Sequence, residues 1–186
     1  EFKGYTKFFW FYLTAVIFVA IGYIDFPLIA YHIKVKTVFA DSTIPLLYSL
    51  AMVSDAFAAL ILGKLFDKIG LKSIIFAILL SAFFAPLVFY GNSIIIIVGM
   101  FLWGIGMGAQ ESILRAVIAE IVPQSKRGTA FGTFNAIYGI FWFLGSASMG
   151  FFYDFSIPLM IAFSVIAQVF GLIIIILLSA KVIGKN

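Results

Sequence analysis

The chain of 186 residues contains no cysteine and a single histidine, His32. The lack of cysteine excludes disulfides, thiolate metal sites and cysteine nucleophiles. One histidine is too few for a histidine-based metal centre, and His32 lies near the end of an apolar stretch. We therefore expect neither a metal nor a cofactor, and we interpret His32 as an interfacial residue.

Charged residues are also scarce. They make up 11% of the chain, whereas 64% of its residues are hydrophobic and the mean hydropathy is +1.19. Soluble domains carry about 25% charged residues, so a chain with so few charges cannot cover a water-facing surface. The composition therefore predicts an integral membrane protein, with the lipid bilayer as a partner. The net charge of +4 is not concentrated in a basic tract interleaved with aromatics, so nucleic acid is not an expected partner.

Six apolar stretches are long enough to cross a membrane, which takes about 20 helical residues. They are too long and too continuous for barrel strands, and helices satisfy their own backbone polar groups in lipid. We therefore predict an all-α membrane protein in which residues 1–186 form a single six-helix transmembrane domain. The predicted spans 1 to 6 cover residues 8–31, 44–66, 73–90, 94–119, 130–152 and 157–180.

Lysine and arginine are distributed unequally between the two ends of these spans. Ten of them lie on one side, which carries both termini, the loop between spans 2 and 3 and the loop between spans 4 and 5. The opposite side has only Lys34 and Lys36. Because positive residues are retained in the cytoplasm, we expect both termini to be cytoplasmic and the protein to lie in the cell membrane.

A short pattern recurs after 87 residues. The sequence 63-GKLFD-67 ends span 2 and 150-GFFYD-154 ends span 5. These spans run in opposite directions, so the two copies lie on opposite faces of the membrane. This arrangement predicts two inverted three-helix repeats, a plan that is common in secondary transporters.

The loop 63-GKLFDKIGLK-72 resembles the signature loop of the major facilitator superfamily, which connects the second and third helices of a six-helix unit. Residues 115–154 resemble the penultimate helix pair of the C-terminal half of such transporters. Leu71 departs from the arginine that is frequent there. An ordinary basic loop would explain the lysines but not the aspartate at this spacing. The gating residues that the resemblance implies are Gly63, Asp67, Lys68, Gly70, Lys72 and Arg115.

The resemblance also implies that the third helix of each triplet is peripheral, while the other two line a central cavity. Polar residues within the predicted spans fit this division, because ionisable groups at membrane depth are costly and are therefore candidates for function. Spans 3 and 6 carry no charge. The candidate substrate or proton sites are Asp25, Asp55, Gln110, Glu111 and Asn135.

Two of these candidates have particular local surroundings. Asp25 precedes Pro27, whose ring should open the helix backbone nearby. Glu111 lies one helical turn before Arg115 and could instead form a purely structural ion pair with it. Glycine-rich segments at 104-GIGMG-108 and 128-GTAFG-132 have the spacing that allows two helices to approach closely.

These features predict the C-terminal half of a secondary transporter that moves a small solute by alternating access, with proton coupling as a candidate mode. It would pair with an N-terminal six-helix half or with a second copy. A transport-inactive membrane sensor or scaffold with the same fold is the alternative. An enzyme is not expected, because the sequence has neither a nucleophile turn with a membrane-embedded histidine nor a paired-aspartate motif.

Overall fold

The computed structural model describes residues 5–183, and the surroundings of side chains up to residue 180. The described chain folds into α-helices joined by short connections, with two single turns of 3-10 helix at Asp41–Thr43 and Gln124–Lys126. The α-helices α1 to α9 are Lys7–Ile21, Phe26–Val35, Ile44–Ile69, Lys72–Ala82, Phe84–Tyr90, Ser93–Glu111, Ile113–Ile121, Arg127–Phe155 and Ile157–Ile183.

These helices build six spans that are long and apolar enough to cross a membrane, which confirms the predicted all-α, six-helix fold. The chain is thus a multi-pass membrane protein. Spans 1, 3 and 4 each consist of two consecutive α-helices. In order, the spans are Lys7–Val35, Asp41–Ile69, Lys72–Tyr90, Ser93–Ile121, Gln124–Phe155 and Ile157–Ala180.

The signature segment differs in one respect from its prediction as a loop. Span 2 continues as α-helix to Ile69, so Asp67 and Lys68 lie in its last turn. The turn itself consists of Gly70 and Leu71, and Gly70 has a positive φ of 57°. Aspartate and lysine are compatible with a helix at the membrane surface, whereas a positive φ ends the helix at the glycine.

Proline and glycine explain two interruptions within the spans. In span 1, residues Gly22–Asp25 separate α1 from α2, and Pro27 occupies the first turn of α2. In span 3, α4 ends at Ala82, four residues before Pro86, which cannot complete the hydrogen-bond ladder to that residue. The interruption that Pro27 predicts beside Asp25 is therefore present.

The spans pack in a defined set of pairs. Span 2 lies against span 4, span 1 against spans 5 and 6, and span 3 against spans 4 and 6. Their buried side chains form two apolar clusters, one towards the side of Gly70, which we call the basic side, and one towards the opposite side. The basic side brings the N-terminal end close to the connection between spans 4 and 5, since the Tyr5 hydroxyl donates to the Lys126 carbonyl at 3.5 Å.

The two glycine-rich segments behave differently. A Cβ at Gly104 would overlap the Ala51 carbonyl oxygen of span 2, and a Cβ at Gly108 would lie 2.9 Å from the Ala59 nitrogen. The predicted close approach is therefore present at span 4. At Gly128 and Gly132 no part of the described chain makes such an approach, because nothing lies within 4 Å of a Cβ there and that face of span 5 is uncovered.

Candidate functional site

The centre of the candidate site is the Asp25 carboxylate, which lies at the interruption of span 1. Asp25 has extended backbone angles at the N-terminal cap of α2, so its side chain projects beyond the end of that helix. Trp142 donates its indole N–H to Oδ1, and the Ser146 hydroxyl donates to Oδ2. Each carboxylate oxygen thus binds one side chain of span 5, and both bonds cross between helices.

A second polar contact connects spans 4 and 5 next to Asp25. The Tyr138 hydroxyl donates to Gln110 Oε1 at 2.9 Å, and Gln110 Nε2 donates to the Gly106 carbonyl at 3.3 Å. The Tyr138 ring also meets the Trp142 ring edge to face, with centroids 5.1 Å apart. Asp25, Gln110, Tyr138, Trp142 and Ser146 form one continuous group, which we call the polar cluster.

Three members of the polar cluster, namely Tyr138, Trp142 and Ser146, are absent from the candidates predicted by sequence. Tyrosine and tryptophan in membrane proteins are enriched at the ends of spans. Tyr138 and Trp142 lie well inside span 5 instead, and this depth is the signal that could have identified them.

Neutral side chains satisfy the carbonyls that the interruption of span 1 leaves free. Ser164 and Gln168 of span 6 donate to the Gly22 carbonyl at 2.6 and 3.4 Å. Trp103 of span 4 donates to the Ile24 carbonyl at 2.8 Å. Spans 4 and 6 thus hold the unwound segment in the conformation that directs Asp25 towards span 5.

The other acidic candidates lie outside the polar cluster. Asp55 is half-buried in span 2 beside Gly108, and the Glu111 carboxylate is close enough to repel it. Glu111 and Arg115 do not form the i,i+4 ion pair that the sequence suggests, and Ser112, where α6 ends and α7 begins, lies between them. Both are exposed, and both act electrostatically on the Tyr138 hydroxyl, as Asp25 does.

Asn135 is exposed on span 5, on the uncovered face that also carries Gly132 and Gly139. It contacts none of the acidic candidates in the described hydrogen-bond network.

The residues predicted to form a gate lie at the basic side, and within the described chain their charged side chains form no ion pair. Asp67, Lys68, Lys72 and Arg115 are exposed. Among the side chains that the structure describes, the ion pair present is Lys34–Asp41 on the opposite side, with the Nζ–Oδ2 distance at 3.5 Å. This conformation therefore does not bring Asp67 and Arg115 into contact.

His32 lies three residues before the end of span 1 and is buried against other helices, with 2% of its surface exposed. Its Nδ1 lies 3.0 Å from the Tyr153 hydroxyl of span 5, so it joins spans 1 and 5 on the opposite side. Within the described chain, no three histidine or acidic side chains are grouped closely enough to hold a metal ion.

Comparison with known proteins gives a consistent result. The family described as Major Facilitator Superfamily matches residues 8–184. Proteins named Rv2265 from Mycobacterium tuberculosis and Mb2288 from Mycobacterium bovis are each 31% identical over 165 residues, which is 89% of this chain and 40% of each relative. A Bacillus subtilis protein named as the MFS-type transporter YhjO is 34% identical over 95 residues, 50% of this chain and 24% of that protein. The chain thus spans less than half the length of these relatives.

Proposed function

The chain belongs to the major facilitator superfamily, and we propose that it forms the C-terminal six-helix half of a secondary transporter that moves a small solute by alternating access. The observation that carries this proposal is the polar cluster, in which a carboxylate at a helix interruption is hydrogen-bonded across to a second helix. Interrupted helices with polar groups near the middle of the membrane are the usual setting of solute and ion sites in such transporters.

The pairing of the spans supports an inverted repeat. An inverted repeat would superpose span 1 on span 4, span 2 on span 5 and span 3 on span 6. Under this superposition the contact between spans 2 and 4 corresponds to the contact between spans 5 and 1. The contact of span 1 with span 6 becomes that of span 4 with span 3, and the contact of span 3 with span 6 maps onto itself. Asp67 and Asp154 then lie at matching helix ends on opposite faces.

The uncovered face of span 5 supports pairing with an N-terminal half or a second copy. Only 11% of the most apolar stretch of span 5 is buried, against 50% for span 1. This face exposes Asn135, which is unfavourable against lipid, and glycines, which suit close helix contact.

Asp25 is the proposed proton site. An ionised carboxylate accepts at both oxygens, so it can bind Trp142 and Ser146 together. Protonation removes the negative charge and weakens the acceptor for Trp142, whose indole can only donate, whereas the bond to Ser146 can persist with its direction reversed. Proton binding would in this way loosen span 1 from span 5, which is the type of change that alternating access requires.

The charge asymmetry supports an orientation with both termini in the cytoplasm of the cell, and the gating residues would then face the cytoplasm. There Asp67 would pair with Arg115 in one state of the transport cycle and release it in the other.

Transport by the reconstituted protein that contains this chain tests the proposal. A panel of sugars, amino acids, organic acids and organic cations is offered to proteoliposomes under an imposed pH gradient. We expect Asp25→Asn to abolish gradient-driven accumulation and to retain counterflow of the same solute. Asp41→Asn, which removes one exposed carboxylate, is the matched control and should accumulate solute normally. Equal behaviour of the two variants contradicts the role of Asp25, and no transport of any solute favours the sensor or scaffold.

A further inference from the structure

Two adjoining cavities at the basic side suggest a site that is separate from the polar cluster. The first has a volume of about 630 Å³ and lies between the start of span 1, the turn between spans 2 and 3, and the end of span 4. The second, of about 350 Å³, is a groove between spans 3 and 6. Lys72 and Ser179 line both, so the two cavities meet at these residues.

The two cavities differ in chemistry. The first combines polar and apolar lining and includes the exposed side chains of Lys7, Lys72 and Glu120. The groove is almost wholly apolar beyond Lys72 and Ser179, and it is lined by Ile75, Phe76, Ile176 and Ala180. A ligand that fills both must therefore have a polar head and a hydrocarbon tail.

The charge of the first cavity favours an anionic head. Lys7 and Lys72 outnumber Glu120, and each lysine is the first residue of an α-helix, α1 of 15 residues and α4 of 11 residues. The N-terminal end of a helix carries a partial positive charge, which adds to that of the two ammonium groups.

We propose that the joined cavities bind one molecule of an anionic phospholipid with a hydroxylated headgroup, such as phosphatidylglycerol. Its phosphate lies between Lys7 and Lys72, its headgroup hydroxyls donate to Glu120, and one acyl chain lies in the groove between spans 3 and 6. Free phosphate is also an anion but cannot use the groove, which makes the lipid the better match. The site shares Gly70 and Lys72 with the proposed gating residues, but its test measures lipid binding and does not depend on transport.

Native mass spectrometry of the purified protein in detergent tests this site, with dioleoyl phosphatidylglycerol and dioleoyl phosphatidylcholine as probes. We expect phosphatidylglycerol to bind more tightly than phosphatidylcholine, and an excess of inorganic phosphate not to displace it. Lys7→Gln with Lys72→Gln should weaken phosphatidylglycerol binding roughly 25-fold, because each lysine near an anionic lipid contributes about fivefold. The matched control is Lys64→Gln with Lys68→Gln, which removes two charges from exposed lysines of the same region that do not line either cavity.

A second variant tests the groove without changing charge. Ala180→Phe should fill part of the groove and weaken binding of dioleoyl phosphatidylglycerol, but not of the short-chain dihexanoyl lipid. Thermal unfolding of each variant checks that it is folded. Equal losses in the two lysine pairs, equal binding of the two headgroups, displacement by inorganic phosphate, or no effect of Ala180→Phe would each overturn the proposal.

Discussion

At the scale of single residues, glycine sets how closely span 4 approaches span 2. Gly104 and Gly108 leave no room for a side chain, since backbone atoms of span 2 occupy the place where a Cβ would lie. Ser54 of span 2 uses this proximity to donate to the Phe101 carbonyl of span 4 at 3.2 Å. In span 5, Gly145 packs in the same way against the Ile21 backbone of span 1, whereas Gly132 and Gly139 have nothing within 4 Å of a Cβ, so the same residue type has two different roles.

Replacement of Gly104 by alanine should therefore destabilise the protein by about 1–3 kcal/mol, the usual cost of overpacking, because the backbone of span 2 must move. Gly132→Ala provides the matched control. It has open space around it within a helix, so the same change should be neutral or stabilise by about 0.5–1 kcal/mol. Thermal unfolding in detergent measures both, and equal destabilisation would contradict the packing described here.

At the scale of elements, the interruption of span 1 is held by neighbours rather than by its own sequence alone. Pro27 favours the interruption, but the free Gly22 and Ile24 carbonyls are satisfied by Ser164, Gln168 and Trp103. Gln168 also accepts from the Ser81 hydroxyl of span 3 at 3.4 Å, so three spans meet at this point. The position of Asp25 depends on all of them.

We expect Ser164→Ala to lower stability by about 0.6–1.7 kcal/mol, which runs from the average to the largest value measured for hydrogen bonds between membrane helices. Ser148→Ala is the control, because the Ser148 hydroxyl donates only within its own helix, to the Leu144 carbonyl at 2.7 Å. The comparison uses the unfolding midpoint of each variant. If the two variants unfold alike, the bond to Gly22 does not support the interruption.

At the scale of the whole molecule, the arrangement of charge across the membrane sets the orientation. The gating residues and the connection between spans 4 and 5 share the basic side, and the Lys34–Asp41 pair lies on the other. Because the chain has no cysteine, single introduced cysteines can report on each side without interference from its own thiols.

Ser125→Cys should react with an impermeant maleimide only in inverted membrane vesicles, and Ser42→Cys should react in intact cells. Both serines are exposed, and neither lies in the interior of a membrane-spanning α-helix. Labelling of Ser42→Cys from the cytoplasmic side would reverse the orientation.

The proposed gate also belongs to the scale of the whole molecule. We expect Asp67→Asn to shift the population towards an inward-open state and to slow transport, and Arg115→Gln to act through the same pair. A double-mutant cycle on the transport rate should give a coupling energy above the 0–1 kcal/mol that is typical of exposed pairs. The exposed pair Lys34–Asp41 serves as the control, with Lys34→Gln and Asp41→Asn expected to be nearly additive. Additive losses for Asp67 and Arg115 would show that the signature segment is only a turn.

The sequence by itself determined the number of spans, the opposite directions of successive spans and the family. Length, hydrophobicity and local turn residues are properties of consecutive residues, so they can be recognised without the fold. The sequence also located Asp25 and the interruption beside it, since Pro27 lies two residues away. Only the tertiary structure decided that Trp142 and Ser146, 117 and 121 residues along the chain, are the partners of Asp25. It also decided that Gly104 packs while Gly132 does not, and that Glu111 is not paired with Arg115. The reason is that nearly uniform hydrophobicity, which makes a span easy to recognise, carries little information about which face of each helix turns towards its neighbours.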